Sequence, residues 1–467
     1  MKRSHTYLAL LLFGAVLLNA LPFHRDEDPD PDDTKMVKAI FDYVLVKGES
    51  YQLLDHLCNQ IGPRLSGSDG AARAVEWGKK VMEEDGFDRV YLQEVMVPHW
   101  ERGGQEIAKI MLKGGGEDPL NVLAIGGSVA TDPDGLTAEV VEVQSLDEVA
   151  ELGEEKIKGK IVFYNRAFDQ RNINTGASYG GAVDQRVAGP SQAAKYGALG
   201  VVIRSVSSSF DDEPHTGTLR YKDDVARIPA AALGVQSAMR LTAALHKNRS
   251  LKLYLNMSCR WLPDVKSYNV VGELTGSEHP DEIILVGGHL DSWDVAQGAH
   301  DDGAGSVQSI GVLRTLQQLN YKPKHTIRAV LFMNEENGSR GGKKYAELAG
   351  KNNEKHIIAI ETDAGGFVPR GFGVTASDAT LAKMRSWLPH FDINTISYIN
   401  KGGGGADIRP LNAMYGVPTV GLRTDSQRYF YIHHSRLDVF SAVYRRELEL
   451  GTGALAALIY LVDKNGL

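Results

Sequence analysis

The sequence predicts an α/β fold: a mostly parallel sheet with helices on both faces, plus an inserted, mostly β domain. Three observations carry this expectation. Over residues 256–467, apolar runs of strand length alternate with helix-length amphipathic segments, the pattern of parallel strands joined by crossover helices. Short strands punctuated by glycine dominate residues 118–255 and break that alternation. At 467 residues the chain also exceeds the usual size of one domain.

Lys2 and Arg3 precede an apolar stretch from Tyr7 to Leu18, and Asn19-Ala20 offers a small residue for cleavage. Residues 1–20 therefore read as a signal peptide, too short to span a bilayer comfortably. A retained anchor is the alternative. After leader removal no stable membrane insertion is expected, and the location is secreted: extracellular, periplasmic or along the secretory–lysosomal route. The stretch from Arg25 to Asp33 is strongly acidic and reads as disordered.

Residues 21–117 form the first part of the catalytic domain. Met36 to Gly86 is helical in pattern, broken by a Gly62-Pro-Arg-Leu-Ser-Gly67 turn. Gly70 to Glu84 sets Ala74, Trp77 and Val81 on one helix face. Val90 to Val97 and Ile107 to Leu112 alternate like strands. Composition shifts at Gly114-Gly-Gly-Glu-Asp-Pro119, where the insert over 118–255 is expected to begin. Its strands are Ala138 to Val143, Ile161 to Tyr164, Val201 to Ile203 and Ile228 to Leu233, and it shows no catalytic cluster.

Residues 256–467 complete the catalytic domain. The strands expected there are Tyr268 to Gly272, Ile283 to Val286, Ile327 to Met333, Ile357 to Ile360, Thr395 to Ile399 and Val417 to Leu422. Helix Val307 to Leu319 turns Val307, Ile310, Leu313 and Leu316 inward. Ligands of such sheets bind just beyond the carboxyl ends of the strands.

A net charge of -8 with no basic block argues against a nucleic-acid or anionic-membrane partner. Cys58 and Cys259 alone make no disulfide framework; two buried thiols are expected, with a bond between them left open. Asn248-Arg-Ser and Asn256-Met-Ser become glycosylation acceptors only in a eukaryotic host.

Five side chains at the ends of apolar runs could hold metal: His289, Asp301, Glu336, Asp363 and His434. Oxygen and imidazole donors without thiolate suit catalytic zinc. His289-Leu-Asp291 places a carboxylate where it can orient the imidazole. Asp301-Asp302 opens a helix, where aspartate could merely cap, yet a carboxylate can also bridge two metals. Glu335-Glu336 follows an apolar strand, and neighbouring side chains diverge. Glu336 is assigned as ligand and Glu335 as the general base that takes a proton from a metal-activated water. Asp363 could simply end a strand, and His433-His434 could pack among Tyr429, Phe430 and Tyr431. Hydroxyl-nucleophile chemistry lacks a Gly-x-Ser-x-Gly elbow. Gly402 to Gly405 lacks the Gly-Lys-Ser/Thr ending of a phosphate loop and reads as a flexible substrate-facing segment.

Taken together, His289-Leu-Asp-Ser-Trp-Asp294, Asp301-Asp-Gly-Ala-Gly305, Glu335-Glu336, Glu361-Thr-Asp363, Gly404-Gly-Ala-Asp-Ile408 and His433-His434-Ser435, with Gly62-Pro-Arg-Leu-Ser-Gly-Ser68, resemble the zinc exopeptidases with two co-catalytic metals. That group holds bacterial leucyl aminopeptidases and glutamate carboxypeptidases. The resemblance implies two Zn2+ per chain, bridged by Asp301. His289 and Asp363 would serve one or the other zinc, with Glu336 and His434 completing the pair. It also implies Asp291 behind His289, Glu335 as base and a cis peptide at Asp301-Asp302. His434 is preferred to His433 because the family places its ligand before Ser or Thr, four residues ahead of an acid, here Asp438. Gly159-Lys-Ile-Val162 and Ala193-Ala-Lys-Tyr-Gly-Ala198 make the insert resemble a protease-associated domain. A homodimer is implied by resemblance alone.

The expected function is that of a secreted zinc exopeptidase, of carboxypeptidase or dipeptidase type, acting on dipeptides or short peptides with free termini. An aminopeptidase of the same group is the alternative, followed by a non-catalytic receptor-like relative or a single-zinc glutaminyl cyclase. The sequence departs from the group around Glu335-Glu336, where Met333-Asn334 precedes and Asn337-Gly-Ser-Arg340 follows. Arg340 is expected close to the metals, where it would alter substrate preference.

Overall fold

The apolar runs of the carboxyl-terminal half form the centre of an eight-stranded sheet. In a computed structural model describing residues 30–467, its spatial order is Arg89–Glu101, Arg260–Leu274, His325–Phe332, His279–His289, Lys355–Glu361, Thr419–Thr424, Pro369–Thr375 and Tyr398–Lys401. The leader expected at 1–20 lies outside the described residues. The middle four strands run parallel. Antiparallel pairings flank them on both sides, and a final parallel pair closes the sheet.

Why the centre is parallel follows from its side chains. Ile284, Val286, Ile327, Leu331, Ile358 and Ile360 pack against helices Asp69–Glu84, Ala304–Gln318 and Arg445–Asn465 on one face. Leu285, Val330, Phe332 and Ala359 meet Tyr345, Ala346, Ile408 and Leu411 on the other. Strands covered on both faces lose the polar alternation of a half-wet sheet.

Two expectations change here. Strand Pro369–Thr375 was not anticipated, because its proline and two glycines weaken the strand pattern. The acidic stretch is ordered from Asp30 onward, where Asp30 accepts the Asp32 N–H at 2.8 Å and caps helix Pro31–Lys47. Asp33 is buried against the Tyr460 hydroxyl at 2.8 Å and the Lys464 ammonium at 2.6 Å.

A second eight-stranded sheet is built from the intervening chain. It takes in Ile107–Met111, which pairs antiparallel with Lys252–Asn256. Ile107–Met111, which precedes the composition shift at Gly114, is thus hydrogen-bonded into this second sheet. Helices Leu146–Ile157, Gly189–Lys195 and Val235–Lys247 accompany the strands. The long ladder between Arg89–Glu101 and Arg260–Leu274 links the two sheets. Arg102 reinforces the link with a two-pronged ion pair to Asp294, at 2.7 and 2.9 Å, beside the site motif at His289.

Cys58 and Cys259 are free and buried, as expected. Burial pushes both thiols up to about 12, so neither forms a thiolate near neutrality. Among the described residues, no helix is long and apolar enough to cross a membrane.

Candidate active site

Four loop segments and one strand end meet beyond the carboxyl edge of the parallel strands. His289 ends the central strand His279–His289, with Nε2 3.2 Å from Asp301 Oδ1 and 3.8 Å from Asp363 Oδ1. Across Asp301, His434 Nε2 lies 3.2 Å from Asp301 Oδ2 and 3.1 Å from Glu336 Oε2. Asp301 therefore presents one oxygen to each imidazole. All five candidate ligands come together.

His289 Nε2, Asp301 Oδ2 and Glu336 Oε1 are buried without a hydrogen-bond partner. Such orphaned atoms cost about 1–3 kcal/mol each unless something else satisfies them. Groups of potential ligand atoms within 4.8 Å of one another include His289–Asp301–Glu336, His289–Asp302–Asp363 and Asp301–His433–His434. Nitrogen and oxygen donors, buried, unsatisfied and converging, fit divalent cations of the zinc type.

The charges agree. Burial pushes the Glu335 carboxyl up to about 8, and Asp363, Glu336 and Asp301 add to the rise against His289. Burial and the Asp301 charge push Glu336 up to about 7. Burial disfavours a His289 cation, yet Asp301 and Asp363 hold its pKa well above the ordinary histidine value. So many carboxylates around two imidazoles call for positive charge between them.

Support comes from neighbouring groups. His289 Nδ1 donates to the Asp291 carbonyl at 2.9 Å, while the Asp291 carboxylate is 3.8 Å away. The expected carboxylate–imidazole contact is thus replaced by a backbone one. The Asp291 carboxylate instead accepts the N–H groups of Asn334, Glu335 and Glu336 at 2.7, 3.1 and 3.4 Å. It fixes the backbone that carries Glu335 and Glu336. The Asp301-Asp302 peptide is cis. Its two acids divide their tasks: Asp301 faces the imidazoles, and Asp302 accepts the N–H of Gly305 at 2.9 Å and of His289 at 3.0 Å. Asp438 accepts the backbone N–H groups of His300 and Asp301 at 2.7 and 3.1 Å. His433 stacks on His434 with ring centres 3.5 Å apart, and its Nε2 is 3.4 Å from Asp301 Oδ2. Only His434 also reaches Glu336.

Arg64, from the Gly62-Pro-Arg turn, is fully buried and donates to the carbonyls of Leu290, Gln297 and Gly298. It ties together the segments that carry His289 and Asp301. Arg64→Lys keeps the charge but loses the fork of donors. It is expected to lower kcat/KM by about 10–100-fold, as losses of ligand-supporting groups do, with the far-UV spectrum unchanged. Wild-type kinetics would refute the positioning role.

Some residues are placed differently from the expectation. Arg340 points away from the cluster, donating to the Met96 carbonyl at 3.1 Å and pairing with Asp264 at 2.5 Å. Lys343 lines the cavity instead. Glu361 and Asp407 form a further acid pair: Glu361 Oε2 accepts the Asp407 and Ile408 N–H groups at 3.1 and 3.0 Å. A Cβ at Gly405 would meet Glu361 Oε1 at 1.7 Å, so only glycine fits there. The stretch over 118–255, which shows no catalytic cluster in its sequence, sends Tyr179, Arg186 and Arg220 into a cavity of about 500 Å³ that also holds Glu335, Glu336, Asp363 and His434. A second chamber of about 660 Å³ shares Asp363, Tyr429 and Phe430 and is bordered by Gly402. No local pattern in the sequence marks such a roof.

Residues 269–457 match peptidase family M28. Carboxypeptidase Q of Mus musculus is 36% identical over 435 residues, covering 92% of this chain and 89% of that protein. The chain belongs to peptidase family M28. Within that family its motifs point to carboxypeptidase Q, and the human protein of that name matches equally, at 36% over 92% of this chain and 89% of its own. Membership makes the chain a metallopeptidase. A crystal structure of a peptidase M28 precursor from Shewanella amazonensis superposes with a TM-score of 0.86 at 32% identity, covering 92% of this chain and 97% of that one. The zinc aminopeptidase of Bacillus subtilis shares the fold, with a TM-score of 0.64 at 18% identity over 88% and 94% of the two chains.

Proposed function

We propose that this M28 peptidase is a secreted two-zinc exopeptidase that hydrolyses dipeptides and short peptides with free termini, in the carboxypeptidase or dipeptidase manner. The observation that carries the reading is Asp301, which offers one oxygen toward His289 and the other toward His434 and lines one cavity with Glu335 and Glu336. His289, Asp301 and Asp363 would hold one zinc, and Asp301, Glu336 and His434 the other. The metals, when bound, lower the pKa of a water and polarise the scissile carbonyl. Glu335 accepts the proton of the attacking water and returns it to the leaving amine. Asp291 keeps the Glu335 and Glu336 backbone in register throughout. Secretion rests on the leader-like amino terminus, and homodimerisation on family resemblance.

The test compares a dipeptide with its N-acetylated and C-amidated forms, alongside zinc analysis of the purified chain. Two zinc ions per chain and hydrolysis of the free dipeptide in preference to its C-amide are expected. Hydrolysis of the amide equal to that of the free dipeptide would favour an aminopeptidase. One zinc would favour a cyclase, and none a binding protein.

A further inference from the structure

We propose that Arg186, contributed by the inserted domain, binds the carboxyl-terminal carboxylate of the peptide and so sets the end from which the enzyme works. The inference rests on the peptidase reading above and names what recognises its substrate.

Arg186 is 5% exposed. Its guanidinium donates to the Thr216 carbonyl at 3.1 Å and the Tyr179 hydroxyl at 2.7 Å, and Nη1 lies 3.3 Å from His434 Nδ1. None of these neighbours is a carboxylate, and Nε is buried with no partner among the described residues. Arginine cannot shed its proton in a protein. A buried charge without a counter-ion is among the costlier arrangements a fold can hold. Two other cations line the same cavity, Arg220 and Lys343, but both are exposed and hydrated.

The contact with His434 brings no negative charge to Nη1. A counter-charge cannot come from the cavity floor by rearrangement, because Asp301, Glu336 and Asp363 belong to the imidazole cluster. It must arrive with the ligand. An anion in this cavity is repelled by the acids of the floor and has one buried cation to meet.

The register fits a free carboxyl end. Arg186 touches the far nitrogen of a ring whose near nitrogen faces the metal cluster. One residue of peptide spans about 3.3–3.6 Å, so a carboxylate there belongs to the residue just past the scissile bond. The guanidinium is also held in place. A Cβ at Gly217, where φ is +124°, would fall 2.4 Å from Nη1 and 2.5 Å from His434 Nδ1, so the backbone presses directly on both. The Tyr179 ring lies 5.6 Å from the guanidinium carbon, and a fixed planar fork suits two-pronged capture of a carboxylate.

The experiment measures kcat and KM for a dipeptide and its C-amidated form with wild-type enzyme, Arg186→Met and Arg186→Lys, each checked for zinc content and far-UV spectrum. The wild type is expected to favour the free dipeptide. Arg186→Met should lose about 10²-fold in kcat/KM on it, chiefly through KM, with a far smaller loss on the amide. Arg186→Lys should retain part of the preference. If Arg186→Met does not fold, the lysine variant decides, since an undiminished preference there overturns the proposal. Equal losses on both substrates would mean a structural role and overturn it too. A wild type that cleaves amide and free dipeptide alike refutes carboxylate capture and leaves the peptidase reading standing. A wild type that cleaves neither refutes both.

Discussion

Glu335→Gln is expected to lower kcat by about 10²–10⁴ while zinc content stays at the wild-type level. The substitution preserves shape and leaves the N–H of residue 335 on the Asp291 carboxylate, so the loop does not move. What disappears is the capacity to accept a proton. Glu335 has no ligand partner in the closest imidazole–carboxylate contacts, which involve Asp301, Asp363 and Glu336. Metal retention therefore separates it from its neighbour: Glu336→Gln removes a donor and should empty the site. Steady-state kinetics with metal analysis of both variants decides the assignment, and near-wild-type turnover of Glu335→Gln would sink it.

Exhaustive chelation is expected to abolish hydrolysis and to destabilise the fold by roughly 4 kcal/mol relative to protein with free zinc at about 1,000 times its Kd. The pH dependence of that loss has a definite sign. Without metal, burial raises Glu335 and Glu361 from 4.5 to about 8 and Glu336 to about 7. The folded state then holds protons that the unfolded chain releases above about pH 4.5, so metal-free stability falls as pH rises toward about 8. His434 adds to the same trend: burial opposes its charge, but Glu336 and Asp301 raise it from 6.5 to about 10. Its contribution is complete below about 6.5 and vanishes as pH climbs through about 10. Zinc replaces those protons and binds more tightly as they leave. The melting-temperature gap between loaded and chelated protein should widen from about pH 6 to about pH 8. A constant or narrowing gap would contradict the cluster.

The parallel centre and the five candidate donors were readable because each strand pattern ends within a few residues of an acid or imidazole. Ile283 to Val286, Ile327 to Met333 and Ile357 to Ile360 are apolar enough to demand burial, and an acid or imidazole follows within a few residues of each. Long-range placement was harder to read. Asp291 orients His289 through its carbonyl, a choice made by the loop's path. Arg340, four residues past Glu336, turns outward because Asp264 and the Met96 carbonyl claim it. Arg186 reaches His434 across 248 positions, and no periodicity spans that distance. The strand Tyr398–Lys401 begins later than the expected Thr395, because Thr395 instead bonds back to the Asp392 carbonyl at 2.9 Å through its N–H.

The second sheet closes entirely within Ile107–Asn256, whereas every candidate donor lies between residues 289 and 434. Chains emerge from the ribosome amino end first and fold unit by unit. The roof can thus be finished while Arg89–Glu101 still waits for its partner Arg260–Leu274. Order of synthesis would then let the mutually repelling acids gather after the unit that carries Arg186 has formed.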